Sequence, residues 1–245
     1  MQTRSVRYGE VFADVYDDWY PSDEQTRACS TEVARLASGG LVLELGAGTG
    51  RIATELASRG VSTVALDISH AMLRRCPRPD PFLLPVLADM ASLPFRPESF
   101  SVVFCACNTF LSLDRGDLQL SCLRECARVV TPDGVVLIET FLPRTPAASE
   151  RVAVSATRWE EDRCVTMFSI VTGETVVGGH VEHSPDGTRV RPWKIRPVTP
   201  DALDAMALTA GLEPVRRSFG WHPHQDPSES ATVISCYRPN RCRDD

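Results

Sequence analysis

From residue 41 onward, short runs that are apolar at nearly every position alternate with segments whose apolar residues recur every three or four positions. LVLELG (41–46), STVALD (62–67), FLLPVLA (82–88), SFSVVFCAC (99–107) and VVLIET (135–140) are strand-length. Between them, residues 49–58, a segment opening at Ser69 and residues 117–130 carry helical spacing. Strands apolar on both faces and separated by amphipathic helices predict a parallel sheet covered on both sides. The first 140 residues therefore read as a doubly wound α/β unit. Ahead of it, helices are predicted over 10–19 and 23–37, with Ser22 as N-cap of the second and Gly39 and Gly40 ending it. Six prolines between Pro77 and Pro97 exclude a regular helix there and leave a surface path around one short strand.

Beyond Pro146 the period changes. RVAVSATRWE (151–160), CVTMFSIVTG (164–173), ETVVGGHVEHS (174–184) and TRVRPWKIRPV (188–198) alternate as antiparallel strands do, with Asp186-Gly187 as a hairpin turn. A last helix over 200–210 stops at Gly211. Strand candidates at 212–221 and 229–238 follow. There is no internal repeat and no low-complexity tail, so the strand-rich insert is read as part of one domain spanning 1–245.

Composition narrows the function classes. With 43% hydrophobic and 24% charged residues the chain is an ordinary globular one. No run is long enough to span a bilayer, and MQTRSVRYGE lacks the apolar stretch of a signal peptide. A cytoplasmic protein without membrane contact is expected. Twenty-six basic against 32 acidic residues, a formal charge of −6 and no block of either sign argue against nucleic acid. Nine cysteines, an odd number with no C-x-x-C pair, read as reduced thiols. Cys105 and Cys107 are predicted to share a strand face, and Cys122 and Cys126 a helix face, which suits packing rather than zinc. No metal is expected.

The segment Glu44-Leu45-Gly46-Ala47-Gly48-Thr49-Gly50 ends a strand and opens a helix. Its glycines permit a tight turn and close backbone approach, while helix N-terminal amides offer donors to a ligand. Asp67, 21 residues after Gly46, closes the next strand, where a carboxylate can accept both ribose hydroxyls. A dinucleotide dehydrogenase would show G-x-G-x-x-G, but residue 51 is Arg and the third glycine comes one position early. Glu44 suits a ligand with a positively charged amino acid portion better than a pyrophosphate.

Glu-Leu-Gly-Ala-Gly-Thr-Gly followed by Val-Ala-Leu-Asp-Ile-Ser resembles the class I S-adenosylmethionine-dependent methyltransferases. Ala88-Asp89-Met90, Ala106-Cys107-Asn108-Thr109-Phe110 and Thr131-Pro132-Asp133-Gly134 fall where that family has its later landmarks. The resemblance is strong from Tyr16 to about Thr140. It implies a Rossmann-like seven-stranded sheet with one antiparallel strand from about 230–238, and a strand-rich insert after the fifth strand. On that basis the chain divides into a helical cap (1–40), a cofactor-binding core (41–145), a substrate-side insert (146–198) and closing elements (199–245).

The resemblance also implies residue roles. Gly46, Ala47, Gly48 and Thr49 lie against the methionyl part of S-adenosylmethionine, Gly50 completes the turn and Asp67 holds the ribose. Ile68 packs on the adenine, Asp89 and Met90 border its amino edge, Ala106 and Cys107 offer backbone groups near the sulfonium, and Tyr16 closes the site. The N-terminal Val-Tyr-Asp-Asp-Trp-Tyr and the insert resemble bacterial small-molecule N- and O-methyltransferases of specialised metabolism.

Methyl transfer is an in-line displacement in which alignment and exclusion of water dominate, so a general base is optional. Acceptor contacts are sought at Asn108, at His180 and His183, at Trp193 and Arg196, and in Gly220-Trp221-His222-Pro223-His224. His180 and His183, three apart in a strand, face opposite ways, so at most one of them serves the pocket, and a solvated strand histidine is the expected reading. His222 and Asn108 are the candidate catalytic residues. A small-molecule acceptor and a monomer or homodimer are expected. The alternatives are an S-adenosylmethionine-binding protein without methyl transfer, a C-methyltransferase and, last, a dehydrogenase.

Overall fold

The computed structural model describes residues 4–77, 80–141, 152–160, 162–222 and 230–240. Among these, β1 (Val42–Leu45), β2 (Thr63–Asp67), β3 (Leu83–Leu87), β4 (Phe100–Cys105) and β5 (Val130–Phe141) pair in parallel. β11 (Thr232–Pro239) lies antiparallel between β5 and β10 (Leu212–Phe219), giving seven strands in the order β10-β11-β5-β4-β1-β2-β3. The sheet is the doubly wound one expected. Its central strands β1, β2 and β4 are predominantly apolar because alternate residues serve two cores. Leu43, Leu45, Val103 and Cys105 pack against one set of neighbours, including Cys122, Leu123 and Cys126 of α6 (Gly116–Val129). Val42, Val102 and Phe104 face the other way, against Cys29 and Val33 of α3 (Glu24–Ala37) and Ile52 and Leu56 of α4 (Arg51–Ser58). Both edge strands carry proline, Pro85 in β3 and Pro214 beside a bulge in β10.

Several boundaries differ from expectation for identifiable reasons. α3 is capped by Asp23 rather than Ser22: its carboxylate accepts the Thr26 N–H at 2.9 Å, and the Thr26 hydroxyl accepts the Asp23 N–H. α4 starts two residues late because Gly50 stands at φ 83° and cannot be helical. The helix expected over 10–19 is broken into α1 (Arg4–Phe12) and α2 (Tyr16–Trp19). In a continuous helix the Val11 carbonyl would accept the Val15 N–H. Here that N–H goes to the Phe12 carbonyl at 3.1 Å, and the Val11 carbonyl accepts the guanidinium of Arg191. β4 ends at Cys105, so Cys107 leaves the strand and the two thiols share no face. Cys122 and Cys126 do share one and are fully buried.

The insert forms a separate antiparallel sheet of β6 (Val152–Glu160), β7 (Arg163–Thr172), β8 (Thr175–Ser184) and β9 (Gly187–Ile195). The β8–β9 hairpin turns through Pro185-Asp186, with Gly187 at φ 123° opening β9. α7 (Pro200–Thr209) is capped by Thr199 and followed by Gly211 at φ 84°. No helix among the described residues is long and apolar enough to cross a membrane.

Leu123 is fully buried where α6 meets the sheet. Leu123→Ala is expected to lower folding stability by about 2–5 kcal/mol, read as a fall in the urea unfolding midpoint.

Candidate active site

In a sheet of this winding, strand order reverses between β1 and β4, and a crevice opens beyond their carboxyl ends. The chain fills its rim with the glycine-rich turn after β1, with Asp67 ending β2, with residues 88–90 after β3 and with residues 106–113 after β4. A cavity of about 170 Å³ lies there. Tyr16, Gly46, Gly48, Asp67, Ile68, Asp89, Met90 and Cys107 line it together. Asp67 accepts the Gly48 N–H at 2.8 Å through one oxygen and the Ser69 N–H at 2.7 Å through the other. Burial raises the pKa of its carboxyl, against the pull of these backbone donors. Asp89 accepts the Ala91 N–H at 2.8 Å through a single oxygen.

Glu44, Ala47, Thr49, Gly50 and Ala106 stand behind the wall and do not line this cavity. Gly50 is required by packing, since a Cβ there would sit 2.5 Å from the Cys76 sulfur. Thr49 donates its hydroxyl to Asp17 at 2.6 Å, tying the turn to the N-terminal segment. Glu44 is wholly buried, and its Oε2 finds no partner. Burial pushes its carboxyl up to about 8, eased by the Ala53 N–H and by the positive charge of Arg51.

Cys107 and Asn108 are consecutive residues at φ 53° and 60°, in the left-handed region. The Cys107 N–H is already committed to Glu139 Oε2 at 2.9 Å, so only its carbonyl is left to face a ligand. Glu139 also accepts the Trp221 indole N–H at 2.8 Å, which fixes that tryptophan in the core. Asn108 lines a second cavity, of about 280 Å³, with Tyr8, Tyr20, Met167, His180 and Trp193. The Asn108 Oδ1 and Trp193 Nε1 are buried without partners.

His180 overturns the expectation of a solvated histidine. It is 8% exposed, faces Tyr20 OH at 3.4 Å through Nε2 and packs edge-on against Phe12. Burial, with the charges of Arg158 and Arg191, pushes it down to about 4, so the ring is neutral. His183 points the other way, exposed and bonded to Thr188 at 2.9 Å. Arg196 lines neither cavity. It pins the insert to α6 through Gln119 at 2.7 Å.

His222 does not join this group. After β10, Gly220 at φ 81° turns the chain so that Trp221 goes inward and His222 lines a different cavity beside Glu32 and Arg216. The structure thus leaves the candidate acid–base histidine away from the glycine-rich turn. His224 lies outside the described residues.

Two further wall residues, Tyr8 and Gly9, come from α1. A Cβ on Gly9 would overlap Ser69, so α1 can approach the crevice only with glycine there. The sequence signal for this cap is an aromatic at every fourth position, Tyr8, Phe12, Tyr16 and Tyr20. Tyr8 and Phe12 stack at 4.4 Å, and the Tyr16 and Tyr20 rings meet at a tilt with centroids 5.2 Å apart.

A family described as a methyltransferase domain matches residues 43–138. The malonyl-acyl-carrier-protein O-methyltransferase of Halorhodospira halophila is 38% identical over 109 residues, which are 42% of this chain and 36% of that protein. The chain therefore spans little more than a third of that relative's length. The demethylmenaquinone methyltransferase of Beutenbergia cavernae is 31% identical over 191 residues, 76% of this chain and 70% of its own. Among solved structures, the CcbJ methyltransferase of Streptomyces caelestis superposes with a TM-score of 0.85 at 32% identity, over 95% of this chain and 98% of that one.

The native state holds a proton on Glu44 that the unfolded chain, at the ordinary value of 4.5, releases. Stability is therefore lost as pH rises from about 4.5 to about 8. Glu44→Gln is expected to remove that loss, so that urea unfolding at pH 8 shows the variant more stable than the parent by roughly 1–3 kcal/mol, with the difference vanishing near pH 4.5. A difference independent of pH would contradict this account.

Proposed function

Because the chain belongs to the class I S-adenosylmethionine-dependent methyltransferases, which take S-adenosylmethionine as cofactor, we propose that it transfers the methyl group to nitrogen or oxygen of a small-molecule acceptor in specialised metabolism. The observation that carries this reading is the second cavity. It adjoins the first through Tyr8, Cys107 and Ser112 and is roofed by Met167, His180 and Trp193 of the insert. A space of this size, walled by aromatics and a few polar atoms, fits a metabolite.

The residues present fit the cofactor. Gly46 and Gly48 leave the turn bare of side chains toward the crevice, and the Asp67 and Asp89 carboxylates stand in its wall. The unpartnered Oε2 of Glu44 puts acceptor capacity beneath the turn. The cofactor supplies an electrophilic methyl group on a sulfonium. Asp67 would take the ribose hydroxyls, Ile68 the adenine face, and Asp89 with Met90 the adenine amino edge. Gly46, Ala47, Gly48 and Thr49 would back the methionyl part through main chain, and a cation bound above the turn would favour release of the proton that Glu44 holds. Gly50 would hold the turn, Ala106 and the Cys107 carbonyl would stand near the sulfonium, and Tyr16 would close the site.

The chain's catalytic work is then alignment and exclusion of water. Asn108 Oδ1, at the junction of the strained turn and the acceptor cavity, is placed to accept a hydrogen bond from the acceptor's N–H or O–H. A proton leaving the acceptor would meet the neutral His180–Tyr20 pair on the cavity wall. That assigns acceptor contact to Asn108 and the insert histidine rather than to His222.

Calorimetric titration with S-adenosylhomocysteine is expected to give binding that Asp67→Ala weakens roughly 10- to 100-fold, with two charge-assisted hydrogen bonds lost. Incubation with methyl-labelled cofactor and a panel of amino- and hydroxyl-bearing metabolites should then yield a labelled acceptor and an equal amount of S-adenosylhomocysteine. Label on carbon would transfer the assignment to C-methylation. Tight cofactor binding with no label on any acceptor would favour a binding protein without transfer.

A further inference from the structure

Among the described residues Arg191 is the largest fully buried side chain, and it sits on the insert rather than in the cofactor-binding unit. Its guanidinium takes both oxygens of Asp14, at 2.6 and 3.0 Å, as well as the Val11 carbonyl and Glu182 at 3.2 Å, and lies 5.5 Å over the Trp19 ring. Four of its five contacts therefore hold residues 11–19, a strap running from the end of α1 through α2, against β9. A bidentate Arg–carboxylate pair, here buried on the arginine side, fixes orientation as well as position.

The same N-terminal segment, residues 8–20, contributes to the wall of the cofactor cavity. Tyr8, Gly9 and Tyr16 line it, Asp17 receives the Thr49 hydroxyl at 2.6 Å, and Arg51 reaches forward to the Pro21 carbonyl at 3.1 Å. Neither Arg191 nor Asp14 lines the cofactor cavity. The core restrains this segment through Thr49 and Arg51, and the insert restrains it through Arg191.

We propose that Arg191 is a positioning residue for the cofactor: by gripping Asp14 and the Val11 carbonyl it holds residues 8–20 shut over the cofactor cavity, so that the acceptor-side sheet sets how long the cofactor stays. The same segment supplies Tyr8 and Tyr20 to the acceptor cavity. An acceptor that steadies it therefore tightens cofactor binding, and the cofactor tightens acceptor binding by the same factor. The inference rests on the cofactor assignment and is independent of what the acceptor is.

The test cuts the grip from the strap side, because removing Arg191 would also take from the buried Glu182 its 3.2 Å partner and leave it only Arg163 at 3.4 Å. The Asp14 side chain is about half exposed, 49%, and Arg191 keeps Glu182 in Asp14→Asn and Asp14→Ala. Both variants of the full chain are titrated with S-adenosylhomocysteine, beside Glu174→Gln, which alters an exposed insert residue paired with Arg196. The expected result is a Kd raised roughly 5- to 20-fold in the Asp14 variants, within the usual range of coupling between sites. A faster dissociation rate carries that rise, and amide exchange in residues 8–20 of the complex speeds up. Glu174→Gln and the unliganded melting temperatures stay near the parent. An unchanged Kd and dissociation rate would overturn the proposal. So would a weakened Kd that tracks a general loss of unliganded stability with no exchange change confined to 8–20. A parent protein that fails to bind S-adenosylhomocysteine would remove the cofactor assignment itself, and the proposal with it.

Discussion

Parallel pairing of β1 with β2 on one side and with β4 on the other is the constraint from which the site follows. It brings the carboxyl ends of three buried strands to one edge of the sheet, where no further strand covers them. Side chains within the strands are consumed by two cores, so chemistry can only be carried by the residues just past the strand ends. The glycine-rich turn, Asp67, Asp89 and the Cys107–Asn108 pair all occupy such positions. Their convergence follows from the winding and needs no special arrangement of the loops.

The electrostatic character of that edge is unusual. Burial raises Glu44, Asp67 and Glu139 together, and each is met mainly by main-chain or indole N–H groups rather than by cations. Arg51 is the basic side chain at this edge, and it is shared between the Pro21 carbonyl and the Cys107 sulfur. Carboxylates held this way favour a ligand that brings its own positive charge. A sulfonium with an ammonium is such a ligand, since its charge favours the ionised form of these groups, whereas a pyrophosphate opposes it. This is the physical content of the distinction that Glu44 and the early third glycine carry in the sequence.

The core was legible because its signals are local. Apolar runs, helical spacing, Gly211 after α7 and Asp67 at a strand end each depend on a few neighbouring residues. The N-terminal break was not legible, since the Val11 carbonyl is claimed by an arginine 180 positions away. The burial of His180 was hidden for the same reason: a histidine in an alternating strand looks solvated until Phe12 and Trp19 are laid over it. The packing of Gly50 against the Cys76 sulfur and the direction of His222 depend on a distant partner and on one left-handed glycine, which no local pattern shows. The aromatic at every fourth residue from Tyr8 to Tyr20 is a local signal for the cap.

Proline stands in both outermost strands of the seven-stranded sheet, at Pro85 and at Pro214 beside the β10 bulge. A residue without an N–H cannot extend a ladder, and a bulge bends the edge away from a flat template. The central strands of this protein are the kind of continuous apolar segment that aggregates when exposed during folding. With both margins interrupted, another chain finds no regular edge on which to add a strand. The sheet therefore carries its own termination signals against fibrous growth, and they act even before the helices have closed over its faces.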